Sequence, residues 1–462
     1  MSKILLLTVV VLYVAYYFGN VYLTEPNLEI PKLPETNWGP ANRQTDDSIR
    51  PFKINVSEDV IHDLKQRLSR TRYSVPPLEN TGWTYGVSSK YLKEIVNYWK
   101  DHYNWYERQE LLNKYPQFIT TIQGIDIHFY HVKPSKLQNE DGRQLKVFPL
   151  LLLHGWPGSV VEFQKIIPLL TTPRPGKDFV FEVIAPSLPG FGFSEGAVRP
   201  GLGTVQMAVI FKNLMQRLGF DKYYAQGGDW GSLITHDLAT LFPDKIFGAH
   251  ANMCPIRFSK IPWKIFLGAY FPSLYVEPEH ASKVYPLKYH WGRLLEESGY
   301  FHIQATKPDT IGAALSDSPA ALAAYILEKF STWTNPEFRF VNDGGLLVKF
   351  TMDELLDNVM LYWVTNSITT SVRIYAESFS SENFGLLNPY PVTTLFGFAN
   401  FPNELSYTPE SVVRSHFKNL IHFSHLPRGG HFAAFEEPQL LSDDIYTFVD
   451  KIQNMDMSTN PK

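Results

Sequence analysis

The chain has 462 residues, 44% hydrophobic and 19% charged, with a formal net charge of −4. That composition excludes general disorder, and the mild acidity argues against nucleic acid as a partner. Its single cysteine, Cys254, excludes an intrachain disulfide framework and a thiolate metal cluster, while 15% aromatic residues point to ring-lined pockets.

From Ile4 to Leu23 the chain is apolar and carries no charge. Such a run, at 1.5 Å per residue, spans about 30 Å, the thickness of a bilayer's hydrocarbon core. A cleaved signal would end in a small-x-small site, but Ala15 is followed by Tyr16, Tyr17 and Phe18. Tyr13, Tyr16, Tyr17 and Tyr22 suit an interfacial belt, so residues 1–23 are read as an uncleaved membrane anchor. Lys3 precedes the run, and Glu25 and Glu29 oppose Lys32 after it, which leaves the side of the membrane open.

Residues 24–117 read as an N-terminal extension. Thr24 to Arg50 carries four prolines and reads as a draped arm. Ser57 then opens an amphipathic helix with Val60, Ile61, Leu64 and Leu68 on one face, followed by a Trp/Tyr-rich segment from Trp83 to Tyr115. Residues 118–253 read as the first part of an α/β core. Phe118–Val132 predicts a hairpin turning near Gln123-Gly124. Strands are then expected at Val147–Leu153, Phe179–Ala185, Lys222–Gln226 and Ile246–Met253, with helices at Val205–Leu218 and Leu233–Phe242. The alternation predicts a parallel, doubly wound sheet. It stops at Cys254-Pro255. Residues 254–379 are helical and aromatic, with helices at Ala320–Phe330 and Met352–Thr365, and read as an inserted cap. Residues 380–462 resume the core with Val392–Ala399, Leu420–Leu426 and the amphipathic Pro438–Gln453.

The chemistry centres on Gly227-x-Asp229-x-Gly231, between a strand and a helix. Glycines two before and two after a central residue mark a nucleophile elbow, a strained turn that tolerates only small neighbours. The central residue is Asp rather than the Ser of esterases. A carboxylate attacks an electrophilic sp³ carbon, such as an epoxide or alkyl halide, and leaves an ester that water can cleave. The base for that second step should lie after the last strand, where His431 stands in Arg428-Gly429-Gly430-His431-Phe432. His422 and His425 fall within the strand and read as structural. A carboxylate must orient the base, and Glu404 follows a late strand, whereas the rival position carries Asn252. His154-Gly155-Trp156-Pro157 should supply one oxyanion-hole N–H from Trp156, with a second from Trp230 and a cis bond at Trp156-Pro157. His154 itself reads as structural. The histidines show no metal-ligand spacing, so neither metal nor cofactor is expected.

Together GGDWGS, HGWPGS, SLPGFGFS at Ser187–Ser194 and RGGHFAAFEEP at Arg428–Pro438 resemble the epoxide hydrolases of the α/β-hydrolase fold. The resemblance is to the microsomal type, covers almost the whole chain, and is nearest to insect juvenile hormone epoxide hydrolases. It implies an α/β-hydrolase fold with an inserted helical cap and an N-terminal extension behind a membrane anchor. It also implies two cap tyrosines that donate protons to the epoxide oxygen, at Tyr300 and Tyr375. Ring opening produces an alkoxide, which a phenol can protonate where water is excluded. The partners implied are a small apolar epoxide, water and the endoplasmic reticulum membrane. Four alternatives stand beside a juvenile hormone epoxide hydrolase. A general detoxifying epoxide hydrolase fits the same features. A haloalkane dehalogenase would share the nucleophile but need halide donors such as Trp230 in place of the tyrosines. Asp229 argues against an esterase. A non-catalytic binder of hydrophobic ligands would be expected to lack one of Asp229, Glu404 or His431.

Overall fold

Gln117–Ile122 (β2) and Ile125–Val132 (β3) are joined by Gln123 and Gly124, both left-handed, with φ of 48° and 81°. A two-residue turn of this hand matches the twist of the strands it joins, so it closes an antiparallel hairpin. In the computed structural model this hairpin belongs to a nine-stranded sheet. Its other strands are Arg50–Phe52 (β1), Lys146–Leu153 (β4), Phe179–Pro186 (β5), Tyr223–Gly227 (β6), Ile246–Ala251 (β7), Phe396–Asn400 (β8) and Leu420–His425 (β9). The order is β1-β2-β3-β5-β4-β6-β7-β8-β9. The structure describes residues 28–44, 46–254, 265, 267–405 and 407–459, with residues 8, 9, 12, 13 and 16.

The strands from β4 to β9 are parallel, as their alternation with helices predicts. The sheet is nevertheless mixed, because β1, β2 and β3 pair antiparallel, as does β3 with β5. The tight hairpin and the edge strand contributed by the extension impose that direction. Leu150 to Leu153 of β4 are fully buried, the continuous apolar run expected of a strand covered on both faces. β4 pairs parallel with both β5 and β6, so the strand order reverses there. A crevice outside the carboxyl ends at such a switch point is where α/β sheets place their ligands.

Several core boundaries differ from the sequence reading, two of them beside the elbow and the acid-bearing loop. The helix after β6 begins at Asp229 rather than Leu233, because the elbow residue is itself its first residue. β8 begins at Phe396, and Val392 makes only an isolated bridge to Phe417.

In the extension, the helix Glu58–Ser69 (α1) buries Ile61, Leu64 and Leu68, with Val60 half-buried. The Trp/Tyr-rich segment forms Ser89–Asp101 (α2) and Trp105–Leu112 (α3). The core helices are Ile167–Thr171 (α4), Thr204–Arg217 (α5) and Asp229–Leu241 (α6). The cap helices are Leu287–Glu297 (α7), Gly299–Thr306 (α8), Pro308–Asp317 (α9), Pro319–Thr332 (α10), Met352–Val364 (α11) and Ile368–Ser378 (α12). Glu410–His416 (α13), Ala433–Glu436 (α14) and Pro438–Thr459 (α15) complete the core. Thr351 and Glu354 form a reciprocal capping box at the start of α11, which fixes where that helix begins. The expected anchor falls almost entirely outside the described residues. Among the described residues, no single helix is long and apolar enough to cross a membrane.

Candidate active site

Asp229 stands at the junction of β6 and α6 with φ of 47°. A non-glycine residue there costs on the order of 1–3 kcal/mol, so the surroundings must hold it. They are built for that. A Cβ on Gly227 would lie 2.2 Å from the Gly231 carbonyl oxygen, and one on Gly231 would lie 2.0 Å from the Leu153 oxygen. The G-x-D-x-G spacing is therefore the condition for the turn to close against β4.

The loop after β4 meets the carboxylate. Trp156 N–H donates to Asp229 Oδ1 at 2.8 Å, and Trp156-Pro157 is cis. A Cβ on Gly155 would lie 2.2 Å from the same oxygen, so only glycine admits the carboxylate there. Trp230 is the second residue of α6, so its N–H belongs to the first turn and lacks an intrahelical acceptor. His154 accepts from Leu188 N–H through Nε2 (3.1 Å), and its Nδ1 lies 3.0 Å from the Gly155 oxygen. Burial lowers its pKa to about 4. It is a neutral strut between two loops.

On the other side, His431 Nε2 lies 3.4 Å from Asp229 Oδ2, and Nδ1–H donates to Glu404 Oε1 at 2.7 Å. The His431 and Glu404 side chains are each 2% exposed and that of Asp229 17%. Burial opposes protonation of His431. The Glu404 and Asp229 carboxylates outweigh it and raise the imidazole well above its usual range. The loop carrying His431 is clamped by Glu436, whose two oxygens accept from Gly430 N–H and Phe432 N–H, each at 2.8 Å. His431 N–H donates to the Trp333 carbonyl at the end of α10, which ties this loop to the cap. Asn252, at the rival acid position, accepts from Gln226. His422 shares Asp444 with His250, and His425 stacks on His280, so both are engaged away from Asp229.

The cap brings two phenols over the carboxylate. Tyr300, on α8, stacks on the Trp156 ring at 5.3 Å, and Tyr375, on α12, meets the Trp230 ring edge-on at 4.6 Å. The two tyrosine rings are 5.9 Å apart. Burial, then the neighbouring Asp229 and Tyr groups, raise both phenols well above their usual range, so each keeps its proton to donate. Trp333, Tyr325, Phe301 and Phe379 complete an aromatic wall around the pair. Asp229, Glu404, His431, Tyr300, Tyr375, Trp156 and Trp230 thus converge on one place. The sequence reading missed Trp333, which no motif marks. It also missed Glu436, although its motif contains it five residues after His431.

The family described as "Epoxide hydrolase N terminus" matches residues 49–163, and the "alpha/beta hydrolase fold" family matches residues 149–377. The chain is 52% identical over 446 residues to juvenile hormone epoxide hydrolase 1 of Ctenocephalides felis, covering 95% of this chain and 93% of that one. It is 47% identical over 458 residues to epoxide hydrolase 1 of Sus scrofa, covering 96% and 98%. The crystal structure of juvenile hormone epoxide hydrolase from the silkworm Bombyx mori matches with a TM-score of 0.88 at 48% identity, covering 93% of this chain and 100% of that one.

Proposed function

The chain belongs to the epoxide hydrolase family on the α/β-hydrolase fold, and from that premise we propose that it converts juvenile hormone epoxides to diols through an ester on Asp229. The observation that carries this reading is a carboxylate with one oxygen on a backbone N–H and the other 3.4 Å from a buried histidine, beneath two phenols. Asp229 attacks a ring carbon of the epoxide while Tyr300 and Tyr375 protonate the leaving oxygen. His431, held by Glu404, then activates water against the ester carbonyl, and the N–H groups of Trp156 and Trp230 stabilise the tetrahedral oxyanion. Ester formation removes the Asp229 charge that helps hold a proton on His431, so alkylation itself makes the imidazole a readier base. A phenol pair over the nucleophile serves an alkoxide, which favours epoxide opening over dehalogenation.

Similarity to the named insect hydrolases and the aromatic wall support a long, apolar ester as substrate. The porcine relative is nearly as similar, so the two substrate classes must be compared directly. The kcat/KM on a juvenile hormone should exceed that on styrene oxide by about 10-fold or more, each 1.4 kcal/mol of differential binding being tenfold. The reverse ratio would assign the enzyme to general detoxification. We further infer that residues 1–23 anchor the enzyme in the endoplasmic reticulum membrane, into which such epoxides partition. Release of the full chain from membranes by alkaline carbonate would remove the anchor from this reading.

A further inference from the structure

A cavity with about 20 Å³ of room for a water's centre is walled by Gly155, Trp156, Gly158, Glu162, Asp229 and His431, among others. One water needs roughly 10–15 Å³ of such room and two to four polar partners. Asp229 and His431 are two. Glu162 is the third, and the mechanism above leaves it without a task. It sits in the 3-10 turn Val160–Phe163, and its carboxyl fills the space beside Gly158, where a Cβ would lie 1.5 Å from its Oε1. The residue is 9% exposed. Burial, its largest influence, pushes it up to about 8, with Asp229 and Glu436 adding and His431 opposing. At neutral pH it is an uncharged carboxyl with one donor and one acceptor to offer.

A purely local role is the rival. Ser159-Val160-Val161-Glu162 has the spacing of a capping box, and Ser159 Oγ accepts from Val161 N–H at 3.2 Å. The Ser159 N–H in turn reaches the Glu162 carboxyl. That contact needs one oxygen, and a carboxyl has two, so a residue that walls the cavity still has one to offer it.

We propose that Glu162 is the positioning residue for the hydrolytic water, holding it by a hydrogen bond between His431 and the Asp229 ester; this rests on the ester mechanism. The water gives a proton to His431 Nε2 as its oxygen bonds to Asp229 Cγ. The bond from Cγ to the alkyl oxygen then breaks. The departing alkoxide takes the proton from the imidazolium and leaves as the diol; Asp229 retains the oxygen of the water, and the water's second proton, released from the regenerated carboxyl, restores the phenol that protonated the epoxide oxygen.

The two steps are separated by rapid quench of the full-length enzyme with styrene oxide. Glu162→Ala should slow ester hydrolysis about 10- to 30-fold, the worth of one hydrogen bond, and leave alkylation within about threefold, so that the ester accumulates. Glu162→Gln should restore hydrolysis to within about threefold, because the native group is neutral. Ser159→Ala, which removes the other half of the capping box, should leave both steps near wild type. The proposal is overturned if Glu162→Ala slows both steps together or neither. It is equally overturned if Ser159→Ala reproduces the effect or if Glu162→Gln fails to restore it. Should Glu162→Ala lose its fold by circular dichroism, Glu162→Asp withdraws the carboxyl by one methylene and must show the same split between steps, equal rates counting against the role. A wild-type enzyme that forms no ester would refute the mechanism itself. An ester that decays alike in both enzymes refutes only Glu162.

Discussion

At the scale of single residues, a carboxylate in a left-handed turn gains reach over the crevice at the expense of backbone strain. Its partners then divide the chemistry. In the proposed mechanism the phenols act on the epoxide oxygen, so their loss belongs to the first step. Tyr300→Phe or Tyr375→Phe should each slow alkylation about 10- to 100-fold, and the double variant should nearly abolish it, with hydrolysis of any ester unchanged. Stopped-flow tryptophan fluorescence reads the first step directly, since Trp156 stacks on Tyr300 and Trp230 meets Tyr375. Unchanged rates in the double variant would exclude them from it. In the same proposal Glu404 belongs to the second step. The Glu404 charge helps raise His431 well above its usual range against the opposing effect of burial. Hydrolysis needs neutral imidazole, so its rate rises with pH through the His431 pKa. In Glu404→Gln that rise should move to lower pH, because the raising charge is gone. The plateau should fall about 100-fold or more, because the imidazolium formed in the step loses its counter-charge. A pH profile of single-turnover hydrolysis checks both. A rise that moves to higher pH would contradict the role.

At the scale of elements, the loops at the carboxyl ends of β4, β6 and β8 and after β9 deliver the site, and the cap closes it. The extension holds the cap by specific polar ties. Arg108 on α3 makes a bidentate pair with Asp357 on α11, with contacts down to 2.6 Å, and Tyr103 O–H donates to the same carboxylate at 2.8 Å. The Asp357 side chain is 2% exposed, so removing its cation leaves a buried charge. Arg108→Met should cost about 3 kcal/mol in urea denaturation, softened by the remaining tyrosine donor. No loss of stability would show the tie to be dispensable. These elements were unequally legible. The glycines around Asp229 and the loop after the last strand carry local signals that read directly from spacing. Helix α2 does carry a helical stripe, burying Ile95, Val96 and Trp99, but the surrounding aromatic residues mask it in the sequence, and α3 buries Trp105, Gln109 and Leu112 over only two turns, too short a run to show a period. Tyr300 and Tyr375 had no local signal at all and came only through resemblance. Their position depends on cap helices folding back over a distant turn.

At the scale of the whole molecule, the sheet reversal at β4 sets the crevice, and the cap turns it into an aromatic enclosure. The alternation of strands and helices made the parallel half of the sheet readable. The antiparallel edge was less so, because the three-residue β1 lies in the extension and is too short to show a period. Glu162 and Glu436 escaped notice for a related reason. A buried carboxyl is defined by what surrounds it, and its surroundings come from loops far apart in sequence. The proposed division of labour across Asp229, with phenols on the cap side and histidine on the core side, requires that the oxygen given to the substrate come from the enzyme. Single turnover in heavy-oxygen water, with enzyme in excess over an epoxide, tests that requirement. The first diol should carry unlabelled oxygen, with the label recovered in the peptide containing Asp229. Label in that first diol, and none in the peptide, would mean that water attacks the epoxide directly and that no ester forms.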